Sequence, residues 1–234
     1  GMIQGEDGQK MSKSRGNVIN PDDVIEEYGA DSMRLYEMFM GPLDKSKPWS
    51  IKGLQGCARF AEKIWRIFND TDKHSEQTDS KETTRLLHQT IAKVTNDLEN
   101  MRFNTAISQM MIFSNHLQGL DTINKETLKT FLLLLNPFIP HIAEELNAQM
   151  NAFESLSYTT WPEFDERLAK EDLVTIAIQV NGKLRGNLQL PAETDDKTIK
   201  TEAAKVDGVK KHLEGKNIVK KVVVPGRLVN FVVK

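Results

Sequence analysis

The chemistry most readily read from this sequence lies in five consecutive residues, Lys10, Met11, Ser12, Lys13 and Ser14. Two lysines three positions apart flank Met and Ser in a stretch punctuated by Gly5, Gly8 and Gly16. That density of Gly and Ser predicts a mobile loop from Gly1 to about Arg15. Once such a loop closes, its ammonium groups can be aimed at negative charge that develops on a phosphate chain as a bond breaks. Backbone N–H groups and the serine hydroxyls can assist, as in other phosphate-binding turns. The competing reading is a solvated basic loop with helix-capping serines, and a lone pentapeptide of Lys and Ser favours it. Other reactive residues are sparse. Cys57 is the single cysteine, so no internal disulfide is possible, and its place among helical apolar positions makes it core packing rather than a nucleophile. A reducing, cytoplasmic setting is the expectation. The histidines are His74, His88, His116, His141 and His212, and no Cys/His cluster offers a zinc site. His141, beside Pro140 at a helix start, reads as structural.

The elements that must position these residues are mostly helices. Asn20 is a good N-cap, Pro21 takes the first helical position, and Asp22 and Asp23 fill the first turn of a helix that Gly29 ends. A second helix covers about 31–40, with Met33, Tyr36, Met38 and Phe39 available for packing, and Gly41-Pro42 stops it. From Trp49 to about Asp165 the helical period dominates. Leu54, Cys57, Ala58, Ala61, Ile64, Trp65 and Phe68 form one wide apolar stripe, and the polar run 71–80 links it to the next helix. That helix, about 81–101, uses Leu86, Leu87, Ile91, Val94 and Leu98; Asn104 is expected to cap another, with Ile107, Met110, Met111 and Leu117 inward. A further helix runs from near Asn124 through Leu135, and Pro140 starts the last one of the bundle.

The pattern changes after Ser157. Val174, Ile176, Ile178 and Val180 alternate with Thr175, Ala177 and Gln179, the period of a half-buried strand. Asn181-Gly182 signals a two-residue hairpin turn into a strand over 183–190. One helical stretch comes next, over about 195–214, then strands at 218–224 and 228–233 around Pro225-Gly226. The expected fold is a mainly α helical bundle followed by a small α+β domain with a mostly antiparallel sheet. The charged linker around 163–172 has few candidate packing residues, which predicts that the tail moves as a unit.

No apolar run approaches the ~18 residues a membrane span needs, and no basic-then-apolar signal segment opens the chain. The net charge of -2 hides an asymmetry: residues 173–234 hold twelve Lys and Arg against six Asp and Glu, a segment charge of +6. The tail is therefore basic and the preceding part acidic, which invites a polyanionic partner.

The pentapeptide Lys10–Ser14 matches the signature loop of class I aminoacyl-tRNA synthetases at every position. The run Gly16-Asn17-Val18-Ile19-Asn20-Pro21-Asp22-Asp23, then Tyr28-Gly29-Ala30-Asp31 and Arg34-Leu35-Tyr36, resembles the stretch after that loop in the class. Met38 to Leu43, Lys47-Pro48-Trp49, Gln179 to Gly186, Val224-Pro225-Gly226 and the final strand resemble the bacterial-type leucine branch in particular, so the resemblance covers essentially the whole chain. The resemblance implies a carboxy-terminal fragment beginning just ahead of the loop. Residues 1–48 would be the end of a Rossmann-type catalytic domain, 49–165 a helical domain of the anticodon-binding type, and 166–234 a small tRNA-binding domain. It further implies ATP with Mg2+ as substrate of the longer enzyme, leucine and tRNA(Leu) as partners, a monomer, and no tightly bound cofactor or metal. Lys13 would contact the triphosphate directly, with Lys10 in support; Ser12 and Ser14 would shape the loop, Met11 would pack beneath it, and Gly16 and Asn17 would lie where the backbone can approach the adenosine. The partner motif of the class, His-x-Gly-His, is absent from the sequence, so the chain alone is expected to be inactive. A valine- or isoleucine-type enzyme of the same class is the close competitor, against which the Asn181-Gly182-Lys183 tail argues, and action purely as a tRNA-binding module is the other alternative.

Two cationic surfaces are candidates for the tRNA. Arg59, Lys63 and Arg66 recur at i, i+4 and i+7 on the face away from the apolar stripe, with Glu62 as a candidate ion-pair partner. In the tail, Lys183 and Arg185 lie on the hairpin, Lys210 and Lys211 on a helix, and Lys216, Lys220, Lys221 and Arg227 around the last strands. Phe231 is the sole aromatic of that segment and reads as core, so contacts through phosphate and aliphatic surface are expected rather than base stacking.

Overall fold

Asn20 starts the first helix as its position predicts: its side chain accepts the Asp22 N–H at 3.3 Å, and Pro21 takes the first helical position. Helix α1 is Pro21–Tyr28 and α2 Ala30–Phe39. The computed structural model describes residues 1–170, 173–192 and 194–234, which fall into two units, Gly1–Ala169 and Lys170–Lys234. In the first unit α3 (Ile51–Asn69), α4 (Lys81–Glu99) and α6 (Lys125–Leu135) each begin on a side-chain cap, from Ser50, Ser80 and Asn124. Each cap satisfies one of the N–H groups that a helix start leaves open. Between them lies α5 (Phe103–Gln118), and after them α7 (Pro140–Met150) and the short α8 (Glu166–Ala169).

Two-residue strands staple the loops: β1 (Ile3–Gln4) pairs in parallel with β2 (Lys47–Pro48), and β3 (His74–Ser75) with β4 (Ile123–Asn124). Helix α6 is central, with Leu132, Leu133, Leu134 and Leu135 all buried. Phe131 meets Phe113 edge-on at 4.9 Å between ring centroids. Each such fully buried side chain contributes ~1.5–3 kcal/mol. Val24, Leu35 and Tyr36 belong to this same core.

Several expectations are corrected. The segment expected to be a loop from Gly1 onward begins with a paired strand, since the β1–β2 pairing ties down Met2 to Gln4: Lys47 N–H donates to Met2 O at 3.0 Å and Trp49 N–H to Gln4 O at 2.8 Å. Asn104 caps nothing; it lies inside α5, whose N-cap residue Arg102 makes no side-chain cap bond. Trp65 is 38% exposed, on the edge of the α3 stripe, and Phe60 and Ile67 take the buried positions. The segment expected to be a linker is partly docked. His88 Nδ1 accepts the Asp165 N–H at 3.0 Å and Gln89 Nε2 donates to Ala169 O at 2.8 Å, which fastens α8 to α4.

Two buried carboxylates hold the bundle together. Asp31 on α2 accepts the Ile142 N–H at 2.7 Å and a 2.8 Å bond from His141 Nδ1, capping α7, whose own N-cap residue Ile139 provides no side-chain bond. His141 is thus a structural residue. Asp97 on α4 has a fully buried side chain that accepts from Lys93, from Arg102 Nε at 3.0 Å and from Thr105 Oγ at 2.6 Å. Burial alone would raise its pKa, but the bonds from Lys93 and Thr105, with the charges of Lys93 and Arg102, hold it below the usual carboxylate value. Asp97→Asn is expected to cost about 2 kcal/mol near neutral pH, the scale of hydrogen bonds to a charged group and less than for a wholly buried pair, because both cations can regain water. A group with a depressed folded-state pKa stabilises above its unfolded pKa and loses that contribution as pH falls through the folded value. The difference between wild type and variant in urea melts should therefore shrink below about pH 4; a difference that persists unchanged there would refute the assignment.

The second unit is a four-stranded sheet of β5 (Leu173–Val180), β6 (Lys183–Pro191), β7 (Ile218–Val224) and β8 (Leu228–Val233), in the order β6-β5-β8-β7. The outer pairs are antiparallel and the central β5–β8 pair is parallel. Ile176, Ile178, Val180, Val229, Phe231 and Val233 share the buried face, against Ile199, Ala203 and Val209 of the helices. The expected single helix over 195–214 is two, α9 (Asp196–Lys205) and α10 (Asp207–Leu213), separated by Val206 in extended backbone. The break lets α10 press onto the hairpin: a Cβ on Gly208 would sit 2.5 Å from Arg185 O, so only glycine allows the approach. Asn181 and Gly182 turn with φ of 50° and 77°, as the sequence predicts. The Asn181 side chain also pairs with both backbone groups of Val233, which locks the turn onto β8.

Candidate functional site

The Lys10–Ser14 loop is built on a tight turn. Gly5 N–H donates to Gln9 O and Gly8 N–H to Gly5 O, both at 2.9 Å, and Gln4 bridges to Lys10. Beyond it Ser12 is extended, Lys13–Arg15 make one 3-10 turn, and Gly16 closes the turn with φ 67°. Met11 is half-buried against the core of the first unit, whereas Lys10 and Lys13 are exposed and their ammonium groups have no hydrogen-bond or ion-pair partner among the described residues. The Ser12 and Ser14 hydroxyls face each other at 3.2 Å. Asn17 lies inside the loop's hydrogen bonding: its Oδ1 accepts the Ser12 N–H at 2.9 Å and its Nδ2 donates to both Asp7 oxygens at 3.2 Å. The Gln9 N–H and then the Asn17 amide hold the Asp7 carboxyl below its ordinary pKa. The loop therefore presents two ammonium groups to solvent on an internally bonded backbone, an arrangement suited to a chain of phosphates.

On α3 the three expected cations divide. Arg59 and Arg66 are exposed, but Lys63 is half-buried and donates to Asn115 Oδ1 on α5. Burial, with the charge of Arg66 beside it, lowers the Lys63 pKa. Glu62 is not the ion-pair partner expected: Arg66 Nε reaches its backbone carbonyl at 3.4 Å. Sequence reading missed Lys73, which joins Lys63 and Arg66 around a cleft of about 250 Å³ with Asp70 on its rim. The turn after α3 brings it there, and no periodicity announces that.

In the second unit Lys183, Lys210, Lys211, Lys216, Lys220, Lys221 and Arg227 are exposed, and none has an acidic partner among the described residues. Lys200 and Lys205, in contrast, pair with Asp196 and Glu202. Arg185 is half-buried, with its Nε shielded and unbonded. The cations do not form one patch. Helix α10, with Lys210 and Lys211, packs on β5 and β6, while Lys220 and Lys221 lie on the edge strand β7, two to three strand spacings or ~10–14 Å away. Strand alternation then turns Lys220 and Lys221 to opposite faces. Lys221 sits 5.9 Å from the Phe231 ring, a buried residue as expected.

Among the described residues no other cluster competes as a reactive centre. Burial pushes the Cys57 thiol up to about 12, which leaves it unreactive. His116 Nε2 meets Thr83 Oγ at 2.9 Å, and His88 holds Asp165 with its pKa lowered by burial. Among the described residues no group of three His, Cys, Asp or Glu is placed to hold a metal ion, and no helix is long and apolar enough to cross a membrane.

The family described as the anticodon-binding domain of tRNA ligase matches residues 80–201, more than half of the chain. The chain belongs to the anticodon-binding-domain family of tRNA ligases. Residues 1–47 of the chain also match the class I tRNA synthetases for I, L, M and V. Leucine–tRNA ligase of Chlorobaculum tepidum is 50% identical over 238 residues, covering 100% of this chain and 30% of that protein. The corresponding ligase of Chloroherpeton thalassium is 50% identical over 239 residues, with the same coverage. The solved ternary complex of Agrobacterium radiobacter K84 agnB2 LeuRS with tRNA and LeuAMS superposes with a TM-score of 0.86 at 30% identity, over 100% of this chain and 33% of that one. The chain thus spans about a third of the length of the tRNA ligases it matches.

Proposed function

We propose that this chain is the carboxy-terminal part of a leucine–tRNA ligase that activates leucine with ATP and transfers it to tRNA(Leu). The observation that carries the reading is the whole-length similarity to leucine–tRNA ligases, joined to an intact Lys10–Ser14 loop with two unpartnered lysines. Lys13 contacts the triphosphate of ATP, which enters with Mg2+, and Lys10 supports it. Both are aimed where charge develops on the leaving pyrophosphate. The valine and isoleucine alternatives recede, since the 47–50% identical relatives are leucine–tRNA ligases. The unpaired cations of the second unit, with Arg59 and Arg66, contact the phosphates of the tRNA body. The enzyme acts in the cytoplasm.

The test is ATP–pyrophosphate exchange by the full-length protein, with leucine, valine and isoleucine in parallel. Leucine should drive exchange at least about a hundredfold better than valine, the scale one methylene in an apolar pocket sets. The chain 1–234 alone should show none, for lack of a His-x-Gly-His motif. Preference for valine or isoleucine would overturn the substrate assignment. Exchange by the chain alone at full-length rates would overturn its dependence on the missing part.

A further inference from the structure

We propose that Asp7 and Asn17 form a latch that fixes the segment bearing Lys10 and Lys13, making both positioning residues for the reaction; the inference rests on the nucleotide-loop reading above. One side chain ties both sides of Met11. Asn17 Oδ1 takes the Ser12 N–H at 2.9 Å, and Asn17 Nδ2 reaches Lys10 O at 3.4 Å. The same Nδ2 straddles the two Asp7 oxygens at 3.2 Å each, and Asp7 is itself oriented by the Gln9 N–H at 3.0 Å. The pair is seated against Gly5, which is buried: a Cβ there would lie 2.8 Å from both Asn17 Nδ2 and Asp7 Oδ1, so any side chain would displace the latch.

The chemistry of the pair suits the task. Asp7 is a carboxylate of this loop whose oxygens are hydrogen-bonded by neutral donors, an amide NH2 and a backbone N–H. It shapes the loop without capturing either ammonium group, which stay free for phosphate. An ion pair in the same place would fix the loop at the cost of neutralising a lysine. The latch also limits how far Lys10 and Lys13 can wander, because their backbone neighbours are bonded to one rigid amide. A catalytic cation gains most when its position is set before the charge appears.

The test uses the full-length protein and reads ATP–pyrophosphate exchange. Asn17→Ala should lower kcat about 30-fold while KM for ATP stays within about threefold, since the latch serves charge that develops in the transition state. Asp7→Ala should act alike. Asp7→Asn keeps an acceptor oxygen for the Asn17 amide and should recover to within about threefold of wild type. In a Lys10→Ala/Lys13→Ala background Asn17→Ala should cost less than about threefold more, because a positioning residue then has nothing left to position. Hydrogen exchange at the Ser12 amide should accelerate in Asn17→Ala. An undiminished Asn17 effect in the lysine-less background would overturn the latch in favour of a merely structural role. Full activity of Asn17→Ala and Asp7→Ala, with the lysine variant impaired, would overturn the latch and leave the loop reading intact. An active Lys10→Ala/Lys13→Ala enzyme would overturn both.

Discussion

Replacing Lys13 by Ala in the full-length protein is expected to slow adenylate formation about 10²–10³-fold, the loss caused by removal of one preorganised group from developing charge. Lys10→Ala should cost less, about tenfold, since its ammonium is the supporting one. The structure makes the lysine the sensitive element of the loop. Met11 is anchored against the core and the two serine hydroxyls face each other, so the lysine side chains alone project without a bond. Lys13→Arg should restore part of the rate, because charge is kept, but not all of it, because a planar guanidinium does not replace a compact ammonium. Pyrophosphate exchange and single-turnover adenylate formation measure both effects. A Lys13→Ala enzyme within threefold of wild type would remove the loop from the mechanism.

Features set by neighbours in the chain are legible in the sequence, and features set by distant contacts are not. Asn20-Pro21-Asp22 reads as a helix start because a cap bond closes within two residues. Asn181-Gly182 reads as a hairpin because its backbone angles are a local demand. Asp31 cannot be read as the cap of α7, since its partner Ile142 is 111 positions away. The break between α9 and α10 is hidden for the same reason: the carbonyl of Arg185 that demands Gly208 comes from the hairpin. Trp65 reads as core because a stripe of helical spacing does not say where its edge meets solvent, and the neighbouring helices decide that.

The site divides along the same line. Lys10 and Lys13 form a motif within five residues, so the sequence alone announces them. Asp7 carries no such signal, and Asn17 reads as a residue beside the nucleotide, although its side chain binds the loop. A hint is present in Gly5 followed by Asp7, but only the fold shows that the glycine makes room for the pair. The cations of the tail can be counted from the sequence, yet their arrangement depends on strand order and parity. Composition carries the net charge of +6 for residues 173–234, not the surface on which it acts.

That arrangement sharpens the last expectation. Changing Lys210, Lys211, Lys220 and Lys221 together to Ala should weaken binding of tRNA(Leu) about a hundredfold near 0.15 M salt and flatten the slope of log K against log salt by about 3, with each phosphate contact releasing close to one counterion. Because α10 packs on β5 and β6 and β7 is an edge strand, the two pairs are separable. Lys210→Ala/Lys211→Ala should change the slope by about 2, for both lysines are exposed and adjacent on one helix. Lys220→Ala and Lys221→Ala should be unequal, since alternate residues of β7 face opposite sides and a single RNA backbone reaches one of them. Lys200→Ala/Lys205→Ala is the control. Both lysines are already paired to carboxylates, so the slope should hardly move. Binding of tRNA measured across a salt series decides the matter. A quadruple variant with an unchanged slope, or a control that flattens it as much, would show that the net charge of the unit and not these particular lysines holds the tRNA.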